Sequence, residues 1–135
     1  MIRLFLDANV LFTAAHNPSG KAALVINLGS QKYWEVVSCS FAIDEARRNI
    51  IIKCPASLER LDSLLTSLKN VPSGSGGMCP IPFPRKDRSI LETAIHCKAT
   101  HLLTGDIKDL GLFMNNPDHT AGVIIQSVSE FLTNL

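Results

Sequence analysis

The sequence predicts an α/β fold: three layers, α/β/α, around a parallel sheet of about five strands. Two observations carry this. Short apolar segments of strand type, at 2–6, 34–38, 101–104 and 122–126, are mostly separated by longer segments with helical spacing. Such alternation points to a parallel sheet covered on both faces. The chain is also 46% apolar over 135 residues, with only 6% aromatics. That suffices for one domain, 1–135, with an aliphatic core.

Each element has a local reason. Residues 2–6 form an apolar strand, and 9–15 start a helix that HNPSG at 16–20 stops. A second helix covers 21–28, with Gly29 as its end signal. WEVVS at 34–38 is strand-like, being rich in β-branched residues. Ser40 can cap a helix over 41–53, and Pro55 breaks it. Leucines at 58, 61, 64, 65 and 68 fall on one helical face, read as core packing. PSGSGGMCPIPFP at 72–84 is a loop that can hold a short edge strand at 78–83. A helix over 87–98 and a strand over 101–104 follow, then a turn of helix near 110–114 and a strand at 122–126. Ser127 and Glu130 have capping-box spacing and open a last helix to Leu132.

Several function classes are excluded. The glycines at 74, 76 and 77 lack the Lys-Ser/Thr ending of a phosphate-binding P-loop, and no strand feeds them. The cysteines at 39, 54, 79 and 97 form no CxxC pair and read as buried thiols of a reducing cytoplasm. His16, His96, His101 and His119 make no HExxH spacing, and there is no GxSxG. No apolar run approaches the roughly 18 residues of a membrane span. A cytoplasmic, soluble protein is expected.

The carboxylates fall in a pattern. Asp7 follows the first strand directly, and Asp106 follows the HLLTG segment. Asp87 opens the helix before that strand, and Glu45 lies about one turn into the helix after WEVVS. Strand ends and such helix positions share one edge of a parallel sheet, where open α/β folds bind ligands. Each acid has a plainer role: Asp7 and Asp87 as helix caps, Asp106 as a turn residue, Glu45 as a surface partner of Arg48 or Asn49. Caps alone do not account for two strands ending on a carboxylate at one edge. Four acids gathered there need a counter-charge, and oxygen donors suit Mg²⁺ or Mn²⁺.

The segments LFLDANVLF, FAIDEARRNI and KDRSILETAIHCKATHLLTGDIKDLG resemble the PIN domain, a fold of metal-dependent nucleases, in order and approximate spacing. The resemblance implies that Asp7, Glu45, Asp87 and Asp106 are the acidic quartet, catalytic and metal-binding. It implies that Asn9, Thr104 and Asp109 support them. Asp44 competes with Glu45, but neighbours on a helix point about 100° apart, so one alone faces the site; the reading favours Glu45. Ala46-Arg47 stands where toxin-type members often have Leu-Arg.

On this reading the protein hydrolyses phosphodiester bonds in RNA or single-stranded nucleic acid with Mg²⁺ or Mn²⁺. A toxin role implies an antitoxin protein partner and a homodimer beneath it. Net charge is only +1, yet Arg47, Arg48, Arg85, Lys86, Arg88 and Lys108 flank the acids and are candidate nucleic-acid contacts. Two alternatives stay open at this point. One is a PIN-like module that binds RNA or protein without catalysis. The other is a different Mg²⁺-using α/β enzyme, a phosphatase or phospho-accepting receiver, with Lys98 or Lys108 in support.

Overall fold

The computed structural model describes residues 1–72, 85–105 and 110–135, the side chains of 85–87 and 112 excepted. The chain runs β1 (Arg3–Leu6), α1 (Ala8–His16), α2 (Lys21–Ser30), β2 (Glu35–Cys39), α3 (Ser40–Lys53), α4 (Leu58–Leu65) and β3 (Lys69–Val71). It continues through α5 (Arg85–His96), β4 (His101–Leu103), β5 (Ile124–Gln126) and α6 (Val128–Thr133). Short 3-10 turns lie at Pro55–Ser57, Gly111–Phe113 and Pro117–His119.

The five strands form one parallel sheet in the order β3-β2-β1-β4-β5. Leu4, Phe5 and Leu6 are consecutive in β1 and all fully buried. Consecutive strand residues point to opposite faces, so both faces of the sheet are covered. This is the three-layer α/β/α arrangement that the alternation of segments predicts. α1 packs on α2, α3 and α4, while α5 packs on β4.

Several local readings are corrected. Gly29 does not end the second helix, which runs on to Ser30. A side chain there would collide with Val36 Cγ2, so the glycine lets α2 lie close on β2. Ser40 is the first residue of α3 and not its cap; the cap is Cys39, with no side-chain bond. The leucine stripe is helical only to Leu65, and of its members Leu61 is the fully buried one. β3 is a strand that the sequence pattern misses, because two of its three residues, Lys69 and Asn70, are polar and exposed on the sheet's edge. The expected edge strand at 78–83 lies outside the described residues.

Other readings hold. Trp34 is core: it is buried, donates from Nε1 to Val25 O at 3.0 Å and meets Phe131 edge to face. His101 also meets Phe131, and burial pushes its pKa below the ordinary value. The capping box is present, Ser127 Oγ accepting from Glu130 N–H and Glu130 Oε1 from Ser127 N–H, each at 3.0 Å. The Ser127 N–H, and then the Asn115 amide, hold the Glu130 carboxyl below the usual carboxylate range. Cys39 is a buried free thiol, whereas Cys54 and Cys97 are free and only half-buried; burial raises the Cys97 pKa. Among the described residues no helix is long and apolar enough to cross a membrane.

Candidate active site

In the strand order, β1 pairs with β2 on one side and β4 on the other. The chain winds outward from β1 through β2 to β3, then returns across β1 to add β4 and β5. The gap between the carboxyl ends of β1 and β4 is therefore the topological switch point, where open α/β sheets place ligands. Asp7 leaves β1 there, and Thr104 leaves β4.

Asp7 is only 3% exposed, which is costly for a carboxylate unless polar groups hold it. It is held on both oxygens. As N-cap of α1, its Oδ1 accepts from Ala8 N–H at 2.7 Å. Its Oδ2 accepts from Thr104 Oγ1 at 2.9 Å, and its N–H donates to Leu103 O at 3.1 Å. Thr104 is 1% exposed, and its hydroxyl donates to Asp7 while accepting from Asn9 Nδ2 at 3.3 Å. Asn9 Oδ1 in turn accepts from Gly105 N–H at 2.7 Å. The cap role and the site role of Asp7 are thus not exclusive. One carboxylate starts a helix and is clamped by the end of the neighbouring strand.

The sequence-level candidates are placed unequally. Asp7, Asn9 and Thr104 meet in a single network. Gly105 joins it through its backbone N–H, which no side-chain pattern reveals. Glu45 lies on α3, in the second turn after β2, and is half-buried, whereas Asp44 beside it is exposed. Asp87 is the third residue of α5, which leads down to the start of β4, so its backbone lies toward the carboxyl end of that strand. The Asp87 side chain, Asp106 and Asp109 lie outside the described residues. No cluster of three or more His, Cys, Asp or Glu occurs among the described residues.

Of the basic candidates, Arg47 pairs with Asp62 at 2.7 Å on the surface. Arg48 and Arg88 are exposed. The Arg85 and Lys86 side chains and Lys108 lie outside the described residues.

A cleft of about 470 Å³ opens beside this network, bordered by Asn9, Thr104 and Gly105 and running toward Lys21.

The sequence matches no family model and no curated protein. Solved structures do match over nearly the whole chain. VapBC2 from Rickettsia felis, bound to a DNA fragment from its promoter, aligns with 93% of this chain and 98% of its own at TM-score 0.64 and 15% identity. DNA-bound VapBC from Salmonella typhimurium aligns with 95% and 99% at TM-score 0.67 and 13% identity. VapBC-1 from nontypeable Haemophilus influenzae aligns with 95% and 99% at TM-score 0.58 and 12% identity. VapC is the PIN-domain component of such complexes. At these identities the likeness is one of fold. Together with the strand order and the switch-point residues, it identifies the architecture of this chain as the PIN fold.

Proposed function

We propose that this protein is a divalent-metal-dependent nuclease that hydrolyses phosphodiester bonds in RNA or single-stranded nucleic acid. The observation that carries the reading is the buried Asp7 clamped to Thr104 at the switch point. A cap on a surface helix has no need of burial or of a second strand's hydroxyl.

The donor set suits a hard cation. Asp7, Asp87 and Asp106, with Glu45 assisting, would hold one or two Mg²⁺ or Mn²⁺ ions through oxygen alone. Such an ion, when bound, makes hydroxide available from water near pH 7 and offsets charge developing on the phosphate. The chain's own residues do the positioning. Ala8 N–H and the Thr104 hydroxyl fix one oxygen each of Asp7 and set its direction. Asn9 bonds both Thr104 and Gly105 and so ties the first turn of α1 to the end of β4. No protein nucleophile is required.

The likeness to VapBC complexes supports a toxin role with an antitoxin protein as partner; a cytoplasmic location and a homodimer beneath the antitoxin belong to the same proposal. A 5′-labelled single-stranded RNA incubated with Mg²⁺ or Mn²⁺ checks the chemistry. Cleavage products are expected with either ion and none after chelation by EDTA. Cleavage that persists in EDTA, or none with any divalent ion, refutes the reading.

A further inference from the structure

We propose that the cleft beside Asn9 and Thr104 is the track for the strand adjoining the scissile phosphate, and that Lys21 receives a neighbouring phosphate there. The inference rests on the nuclease reading above and adds a binding path that the acidic residues do not supply.

The cleft starts at the catalytic end. Three of its lining residues, Asn9, Thr104 and Gly105, belong to the network that holds Asp7. From there Asn9 and Thr13 of α1, and Asn17 that caps its end, form one wall. These are four residues apart, so they stand in a row on one helical face. The row is about 12 Å long at 1.5 Å per residue. A stacked strand rises about 3.4 Å per nucleotide, so the row spans about three to four nucleotides. Neutral amides and a hydroxyl can bond phosphate or ribose oxygens without base preference. Val10, Ala22 and Val128 also line the cleft and give a base or sugar an apolar surface. Among the described residues no carboxylate lines the cleft, so a phosphate chain meets no repulsion from them.

Among the described residues Lys21 is the one charged side chain of the lining. It is exposed, and its Nζ reaches Ser129 Oγ at 3.4 Å across the cleft. That bond is long and its partner neutral, so little is lost in exchanging it for a phosphate oxygen. Its position is also wrong for stability. Lys21 is the first residue of α2, whose first turn carries no acid. A cation at that end opposes the helix dipole. A residue that breaks a local rule for only one long, exposed hydrogen bond is a candidate for function.

The test measures KM and its salt dependence for cleavage of a short labelled RNA. Wild type is compared with Lys21→Ala, Lys21→Arg, Thr13→Trp and, as a distant control, Lys69→Ala. Thr13 and Lys21 are exposed, so the variants are expected to fold, and thermal melts verify it. Lys21→Ala should raise KM about fivefold and lower the salt slope by about one phosphate contact. Lys21→Arg should restore both, Thr13→Trp should raise KM at least about tenfold, and Lys69→Ala should match wild type. Wild type that cleaves while Lys21→Ala and Thr13→Trp keep its KM and slope overturns the track alone, and leaves the cleft to another occupant such as a protein segment. Wild type that cleaves nothing overturns the nuclease reading and the track with it.

Discussion

Asp7→Asn is expected to slow metal-dependent RNA cleavage by about a thousandfold, comparable to removing a major electrostatic contact to the reacting groups. The fold should survive. Asn is as good an N-cap as Asp, and its side-chain oxygen can still accept from the Ala8 N–H. The Thr104 hydroxyl, which now donates to Oδ2, can turn and accept from an amide instead. What is lost is the charge, and with it the hold on a divalent ion. Single-turnover rates at saturating Mn²⁺, alongside thermal melts, separate the two effects. A variant that melts near the wild-type temperature and still cleaves at more than a tenth of its rate contradicts the assignment.

Phe5→Ala is expected to cost about 3–5 kcal/mol of stability, a large share of the roughly 5–15 kcal/mol of an ordinary domain. Phe5 is fully buried in β1, paired with Val37 of β2 and Leu102 of β4. Truncation leaves a cavity on one face of the sheet, and the pairing on both sides keeps the strand from collapsing into it. The midpoint of urea unfolding should fall with little change in slope. Ile52→Ala makes the contrast: that side chain is 77% exposed, and its loss should be within about 0.5 kcal/mol of neutral. A Phe5→Ala cost below about 1 kcal/mol would place β1 outside the core.

Both variants bear on β1, and β1 is where the sequence speaks most clearly. An apolar run of strand length that stops on Asp-x-Asn states its burial and its chemistry together. β4 is legible for the same reason. The capping box of α6 is legible because its two partners are three residues apart. The misread features depend on what lies across space. Gly29 looks like a helix stop until Val36 is known to press on it. Ser40 looks like a cap, but its hydroxyl instead accepts from Asn70 Nδ2 at 3.3 Å. β3 pairs with β2 through its backbone, and its polar side chains carry no strand signature.

The site divides in the same way. Asn9 and Thr104 were legible through the PIN resemblance, and both touch the Asp7 network. Helix geometry sets Glu45 apart from Asp44, and Glu45 is half-buried where Asp44 is exposed. Gly105 contributes a backbone N–H, which carries no residue-type signal. Thr13, Asn17 and Lys21 belong to an unremarkable helix and loop in sequence, and only the packing of α1, α2 and α6 brings them around one cleft.

The claim beneath all of this is that acids far apart in the chain share a divalent ion at the end of β1 and β4. Mn²⁺ binding followed by electron paramagnetic resonance tests it without reference to any substrate. Wild type should bind Mn²⁺ at one or two sites. Asp7→Asn, Asp87→Asn and Asp106→Asn should each weaken that binding at least about tenfold, with Glu45→Gln weaker in effect. Equal Mn²⁺ affinity in wild type and all three aspartate variants would contradict the account.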